Sequence, residues 1–305
     1  MPSFKIVLAY DGTDFVGWQR QASGTSIQGV LEDALRTLDD RAVTVAGAGR
    51  TDAGVHALGQ VASFSLERAI DRDTLLRALN AQLPDSVRAL SAAEVPATFN
   101  SRFNARAKTY RYRICNGPVL SPFERRYAWH VPGALDVDAM NAAARRLEGR
   151  HDYAAFQAGR SDAITTEREV FVSRIEDCGL RIYCGLPIGD RGLSPQSAIV
   201  NQSSIGHQSP IVNESAIRHR SPILNESAIR NPQSAMIEYE ITGDGFLRHM
   251  VRTVVGTLVE IGRGRRSVEW IDEVLASRDR AAAGQTAPAA GLFLVSVDYG
   301  DAPCE

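Results

Sequence analysis

The sequence predicts an α+β fold built from two ferredoxin-like α/β halves, each with an antiparallel sheet. Over residues 4–95, strand-like and helix-like segments follow one another in the order β-α-β-β-α-β. The second half repeats this plan loosely. The hydrophobic share of 44% among 305 residues is sufficient for a packed core.

The first half begins with a buried strand over residues 4–10, which combines apolar, β-branched and aromatic side chains. A long loop, residues 11–25, leads to a helix for which Ser26 is the predicted N-cap. A second helix over residues 72–83 ends before Pro84. Further strands are predicted at residues 42–46, around Val61 and at residues 86–95.

The second half opens with a strand over residues 108–116. Tyr110 and Tyr112 lie on one face of this strand, and Arg111 and Arg113 on the other. The other predicted elements are a helix at 137–147, a hairpin with strands at 170–175 and 180–183, strands at 236–242 and 292–299, a helix at 246–261, and a helix capped by Ser267 that ends near residue 277.

The two halves are predicted to comprise residues 1–104 and 105–299, followed by a tail at 300–305. A low-complexity insert at about residues 185–234 interrupts the second half and repeats a twelve-residue motif, as SAIVNQSSIGHQ, SPIVNESAIRHR and SPILNESAIRNP. Such short copies do not bury a core, so we predict a disordered or loosely ordered surface loop. About seven strand residues of about 3.3 Å each separate the insert from the turn at Gly243, so it should enter about 23 Å from that turn.

Composition indicates a soluble protein of the reducing cytoplasm. The four cysteines contain no C-x-x-C pair, which argues against a disulfide framework and against a zinc site. The first residues contain no secretory h-region, and no run of 18 apolar residues occurs that would predict a membrane span.

The charge distribution leaves a nucleic-acid partner open. A net charge of −2 is a mild argument against one. Locally, however, basic side chains cluster between residues 102 and 113 with no acidic residue among them. Such clusters engage phosphates on an otherwise acidic protein, although most basic runs are solvated surface. The members are Arg102, Arg106, Lys108, Arg111 and Arg113.

The best chemical candidate lies in residues 47–64, GAGRTDAGVHALGQVASF. The glycines permit positive φ and a close approach of the backbone to a ligand, and they surround Asp52, which follows Arg50 by two positions. An aspartate in a loop is more often a cap or turn residue, so the pattern alone leaves that interpretation open. Two nucleotide-binding motifs do not match. Asp52 stands where the dinucleotide-binding fingerprint needs its third glycine, and no Lys-Ser or Lys-Thr follows a glycine as the phosphate-binding P-loop requires.

The run GRTDAGVHALGQV resembles the signature of the TruA family of tRNA pseudouridine synthases. Four further blocks resemble that family in the same order, so the resemblance covers nearly the whole chain except the insert. These blocks are YDGT at 10–13 with Phe15 and GWQ at 17–19, FNAR at 103–106 with YRY at 110–112, FLRHMVR at 246–252 with VG at 255–256, and AP at 287–288 with GL at 291–292 and VDY at 297–299. The resemblance implies the pseudouridine synthase fold, with the two halves joined across a central cleft.

The resemblance also implies a site. Asp52 corresponds to the catalytic aspartate, and Arg252 to the guanidinium that favours its ionised form in an enclosed pocket. Tyr110 would stack on the uracil and could serve in removal of the C5 proton. Arg50 would hold the place of the extruded nucleotide in the RNA, and Leu292 would form a wall of the pocket. His56 is interpreted as a turn or core histidine without a catalytic role.

The implied reaction is the isomerisation of uridine to pseudouridine in the anticodon stem-loop of tRNA, without cofactor or metal. The family resemblance also implies a homodimer, with RNA crossing both subunits. One alternative is a catalytically silent RNA-binding protein on the same fold, which would not need Asp52, Tyr110 and Arg252 together. The other alternative is a hydrolase that uses Asp52 as a nucleophile on a small molecule. The lack of a nearby His-Asp or metal constellation argues against it, and it would give the basic run no function.

Overall fold

One large, mostly antiparallel sheet runs through the part of the chain that the computed structural model describes, which is residues 1–159, 165–177 and 236–300. Its strands, numbered in chain order, are β1 (Ser3–Tyr10), β2 (Ala46–Gly47), β3 (His56–Ser65), β4 (Val87–Val95), β5 (Ala107–Cys115), β6 (Trp129–His130), β7 (Gly149–Asp152), β8 (Glu167–Asp177), β9 (Met236–Gly243) and β10 (Leu292–Asp298). The helices are α1 (Ile27–Asp39), α2 (Arg72–Gln82), α3 (Val137–Arg145), α4 (Met250–Gly262) and α5 (Trp270–Ser277). The predicted α+β class is confirmed.

The last strand joins the two halves edge to edge. The order across the sheet is β4-β1-β3-β10-β5-β9-β8-β7, with β2 paired to β3 and β6 paired to β5. β10 pairs in parallel with β3, where Phe293 lies opposite His56, and antiparallel with β5, where Leu294 lies opposite Tyr110. The end of the chain therefore lies between segments that are separated from it by well over a hundred residues.

The two helices of the first half lie where the sequence predicts them, and α1 has its predicted N-cap. The hydroxyl of Ser26 accepts a hydrogen bond from the Gly29 amide at 3.1 Å, which satisfies one of the free amides at the start of α1. Asp71 caps α2 in the same way by accepting from the amides of Asp73 and Thr74. The buried face of α1 consists mainly of Ile27, Leu31, Ala34 and Leu35.

Three predicted element boundaries are wrong. The helix predicted from residue 246 begins at Met250, because His249 has a left-handed backbone (φ 62°, ψ 2°) that no α-helix can contain. Of the predicted strand at 42–46 only Ala46 is in a strand, and that short strand continues to Gly47. Ser267 does not occupy the N-cap position of α5, which belongs to Glu269.

Several predictions fall on segments outside the described residues. They are the strand at 180–183, the repeat insert at about 185–234 and most of the tail at 300–305. The division of the chain at residues 104 and 105 stays a prediction. Within the described ranges, no helix combines the length and apolar character that crossing a membrane requires.

Helix α4 supports the segment that leads into β10. A Cβ atom at Gly256 would lie 1.7 Å from the carbonyl oxygen of Gln285, so only a glycine lets this segment rest on the helix. The hydroxyl of Thr257 accepts from the amide of Gly284 at 3.0 Å, and the carbonyl of Arg252 accepts from the amide of Ala287 at 3.0 Å. The segment before β10 is thereby fixed against one side of α4.

Replacing Gly256 tests this contact. Helix propensity alone would make Gly256→Ala stabilising by up to about 1 kcal/mol. The steric conflict with a backbone carbonyl is the larger effect, so we expect the free energy of unfolding to fall by about 3 kcal/mol or more. Gly159→Ala is the control, because a Cβ there meets no atom within 4 Å. Equal stability of the two variants in denaturant titrations would contradict the prediction.

Candidate active site

The loop that carries Asp52 is anchored by hydrogen bonds to β3, the strand that follows it, and to β1. Gln60 of β3 donates from its side-chain amide to the carbonyl of Gly49 at 2.9 Å. The hydroxyls of Tyr10 and Thr51 share a buried hydrogen bond of 2.8 Å. The amide of Val55 donates to the carbonyl of Asp52 at 3.1 Å and closes the turn. Asp52 therefore sits on a short, well-anchored turn.

A second loop, residues 11–25, lies directly against this turn. The Trp18 amide donates to the carbonyl of Thr51 at 3.0 Å, and the Gly54 amide donates to the carbonyl of Phe15 at 3.3 Å. Gly17 has φ 106°, and a Cβ there would lie 2.6 Å from the Thr51 carbonyl oxygen. A side chain at Gly17 would thus force apart the two loops that shape the site.

The carboxylate of Asp52 meets two side chains from the start of α4. Arg252 Nη1 and His249 Nε2 each lie 3.4 Å from Asp52 Oδ2. The side chain of Asp52 is 29% exposed and that of Arg252 is 15% exposed, so the pair is partly accessible to solvent. Arg252 Nε also donates to the carbonyl of Ala287 at 2.7 Å, which fixes the guanidinium from its other side.

His249 is the site residue that sequence reasoning missed. It stands three positions before Arg252, a spacing that places two residues on one face of a helix. Its left-handed backbone, which ends the turn before α4 and orients the imidazole, gives no signal in the sequence. Burial lowers the pKa of His249, and the positive charges of Arg252, Arg248 and Arg280 lower it further against the opposing effect of Asp52.

Tyr110 lies beside the same turn. Its ring is buried on β5 and meets Phe246 edge to face, with ring centroids 5.2 Å apart. Its hydroxyl is 3.9 Å from the position that a Cβ at Gly49 would take. Burial raises the pKa of Tyr110, and the nearby Tyr10 and Asp52 raise it further. The structure therefore brings Asp52, Arg252 and Tyr110 together.

The other two predicted site residues are Leu292, which is buried in the sheet, and Arg50, which is exposed on the turn. Leu292 is buried on β10 opposite Tyr112, and Leu294 is opposite Tyr110. Cross-strand partners share a face, so Leu292 lies on the face of the sheet that carries Tyr110. Arg50 is exposed on the turn, two residues before Asp52. Its position is at the rim of the site.

Three members of the basic run of residues 102–113 lie on β5 and divide between its two faces. Arg111 and Arg113 form ion pairs with Glu238 and Glu240 on β9, so these two cations are matched within the sheet. Lys108 lies on the face of Tyr110, where its side chain approaches Gly49. Burial lowers the pKa of Lys108, and the charge of Arg102 adds to this effect. Only part of the run is therefore placed to meet a phosphate.

The contacts of His56 are those of a buried structural residue. Its Nδ1 accepts from the amide of Gly12 at 3.1 Å, and its Nε2 lies 2.9 Å from the carbonyl of Arg126. The ring stacks on Phe293 with centroids 4.7 Å apart. Burial lowers the pKa of His56. These contacts agree with its interpretation as a core histidine.

The described residues contain no group of three or more His, Cys, Asp or Glu side chains arranged to hold a metal ion.

Comparison with known proteins identifies close relatives. A family model described as tRNA pseudouridine synthase matches residues 6–104 and 143–300, ranges that include Asp52, His249 and Arg252, while Tyr110 lies between them. The chain is 39% identical over 303 residues to tRNA pseudouridine synthase A of Myxococcus xanthus, covering 99% of this chain and 94% of the relative. It is 40% identical over 301 residues to the protein of that name from Moorella thermoacetica, covering 98% and 100%. A third relative of the same name, from Solibacter usitatus, is 40% identical over 299 residues, again covering 98% and 100%.

The tyrosines beside the site should make the protein sensitive to alkali. Burial raises the pKa of Tyr10 to about 12, whereas a tyrosine in the unfolded chain has a pKa of about 10. The unfolded chain therefore loses its proton first, and the stability contributed by Tyr10 is lost as pH rises from about 10 to about 12.

Denaturant unfolding of the wild type and Tyr10→Phe, at about pH 8 and about pH 11, measures this effect. The phenylalanine variant should lose less stability between the two pH values. Other buried tyrosines contribute equally in both proteins, so the difference isolates Tyr10. Equal losses would contradict the assignment.

Proposed function

Because this chain belongs to the TruA family of tRNA pseudouridine synthases, we propose that it isomerises uridine to pseudouridine in the anticodon stem-loop of tRNA, with Asp52 as the nucleophile. The observation that carries the proposal is the carboxylate of Asp52, which the Arg252 guanidinium meets at 3.4 Å beside the buried ring of Tyr110. An isomerase of this kind needs an ionised carboxylate in a cleft that can also hold a planar base.

The reaction conserves every atom and every electron. The N1–C1′ bond of uridine breaks, the freed uracil rotates, and C5 forms a new bond to C1′. The proton on C5 is then removed, and N1 is left bearing a proton. No oxidant, reductant or group donor enters this balance, so the proposed mechanism uses no cofactor. The protein must supply a nucleophile at C1′, a base for the C5 proton and walls that retain the free uracil.

Asp52 is suited to the first task. The contacts of its carboxylate with Arg252 and His249 are both made through Oδ2, which leaves Oδ1 to approach the sugar. The nearby guanidinium favours the charged, nucleophilic form of the carboxylate. In the proposed step, Oδ1 forms a bond to C1′ as the N1–C1′ bond breaks, and the attack of C5 on C1′ later releases the carboxylate.

Tyr110 is proposed to hold the uracil and to take part in removal of the C5 proton. Its edge-to-face contact with Phe246 fixes the plane of its ring, and its hydroxyl lies near the Asp52 turn. Leu292, on the same face of the sheet, is proposed to limit the pocket. Arg50, exposed at the rim, is proposed to hold the place of the extruded nucleotide in the stem.

The same proposal includes a homodimer in the cytoplasm, which sedimentation analysis and cell fractionation of the full chain would check. Folded RNA is expected to be recognised by its shape and by phosphate contacts, for which Lys108 and Arg102 are placed on the side of the site. A catalytically silent RNA-binding protein would have no use for a carboxylate paired with Arg252 at the wall of the cleft. That alternative is therefore the weaker one.

Asp52→Asn should abolish isomerisation while leaving RNA binding intact. The measurement is release of tritium from a tRNA transcript labelled at uridine C5, with binding of the same RNA measured in parallel. Asp14→Asn is the matched control, because Asp14 is 79% exposed and bonded only to Arg126 among the described residues. It should retain wild-type release.

Transcripts in which the uridines of the anticodon stem-loop are replaced locate the target. Release that survives these replacements would exclude the proposed position. Tight RNA binding by the wild type without any release would exclude the isomerase and favour the silent RNA-binding protein.

Tyr110→Phe separates stacking from proton removal. The phenylalanine ring keeps the contact with Phe246 and the face for stacking, so KM for tRNA should stay near the wild-type value. Loss of the hydroxyl should lower kcat by about a hundredfold or more if it assists removal of the C5 proton. Tyr299→Phe is the control, since Tyr299 donates to the carbonyl of Ser101 at 2.8 Å and has no proposed role in the site. Unchanged kcat for Tyr110→Phe would leave Tyr110 as a stacking platform only.

A further inference from the structure

His249 occupies a backbone conformation that few residues other than glycine adopt. Its φ of 62° and ψ of 2° lie in the left-handed region, where histidine is tolerated better than most side chains but still at a cost. Its carbonyl accepts the first hydrogen bond of α4, from the Thr253 amide at 2.9 Å. Strained residues of this kind persist where the surrounding structure requires them, and they cluster at active sites.

The left-handed turn brings the imidazole to the carboxylate of Asp52. His249 Nε2 lies 3.4 Å from Asp52 Oδ2, the same oxygen that Arg252 Nη1 contacts at 3.4 Å. A single donor would leave the carboxylate free to rotate about the bond to Cβ. A second donor at the same oxygen would restrict this rotation, and it would therefore add orientation as well as energy.

We propose that His249 is a positioning residue, which donates from Nε2–H to Oδ2 of Asp52 and, with Arg252, fixes the carboxylate plane with Oδ1 toward the sugar. This inference rests on the proposed function, because it assigns the orientation of the carboxylate that attacks C1′. The distance of 3.4 Å is at the long end for a hydrogen bond. Catalytic contacts of this kind commonly tighten when substrate binds.

The imidazole is a neutral donor in this arrangement. The positively charged groups that act on it are Arg252 on α4, the adjacent Arg248 and Arg280 from the segment after α5. Together with burial they lower the pKa of His249, against the attraction of Asp52. The guanidinium of Arg252 already supplies the positive charge at Oδ2, so a neutral N–H can orient the carboxylate without adding a second cation.

The test uses replacements that keep the backbone. His249→Gly tolerates the left-handed turn and removes the donor. His249→Gln supplies a side-chain amide whose nitrogen reaches about as far from the backbone as the imidazole Nε2. The readouts are kcat and KM for tritium release from tRNA labelled at uridine C5, with thermal unfolding as a measure of folding. Asp40→Gly is the matched backbone control, because Asp40 also has a positive φ of 53° and caps α1 at its C-terminus.

We expect kcat of His249→Gly to fall by about tenfold to a hundredfold, with KM and unfolding temperature close to wild type. His249→Gln should recover most of the loss, and free imidazole added to His249→Gly should raise its kcat. Asp40→Gly should retain wild-type kcat.

Three results would overturn the inference. They are an unchanged kcat in His249→Gly, a change confined to KM, which would indicate an RNA contact, and a glutamine variant no better than the glycine variant. Asp52→Asn in the same assay distinguishes a failure of the proposed function from a failure of the role proposed for His249. Absence of release from the wild type would overturn the proposed function, and with it the orientation assigned here. Release that depends on Asp52 but not on His249 would overturn only the role of His249.

Discussion

The parallel pairing of β3 with β10 is the interaction on which the rest of the structure depends. It places Phe293 opposite His56 and joins two antiparallel arrays into one sheet. The segment before β10 is bonded to α4 through the Ala287 amide and the Arg252 carbonyl. The end of the chain therefore ties α4 to the strand that follows the Asp52 turn, and the contact between Asp52 and Arg252 is a consequence of that connection.

The second constraint is that main-chain segments approach each other closely at two places, where only a glycine leaves enough room. Gly17 lets the loop of residues 11–25 meet the Asp52 turn, and Gly256 lets the segment around Gln285 rest on α4. Each glycine costs helix propensity or chain entropy where it stands. In return, the carboxylate and the guanidinium are each held by hydrogen-bonded main chain on their own side of the contact. The site is thus built on anchored turns at the ends of regular elements.

The charge pattern of β5 shows why a linear sequence is a poor guide to a binding surface. Five basic residues between 102 and 113 suggest one continuous stripe. Strand geometry sends alternate side chains to opposite faces, and the carboxylates of Glu238 and Glu240 neutralise Arg111 and Arg113 on one of them. Lys108 remains on the face of Tyr110. The pairing partner, which lies more than a hundred residues later, decides which of these cations are matched by carboxylates within the sheet.

The sequence by itself determined the α+β class, the N-cap of α1, the end of α2 before Pro84, and the candidate residues Asp52, Tyr110 and Arg252, because apolar periodicity, capping side chains and short motifs are local signals. The tertiary structure decided what these residues meet. Asp52 and Arg252 are 200 positions apart, and only the folded sheet and helix bring their charges to 3.4 Å. The start of α4 and the role inferred for His249 also depend on the fold. A left-handed residue is held in place by its surroundings, and no local pattern of residues specifies it.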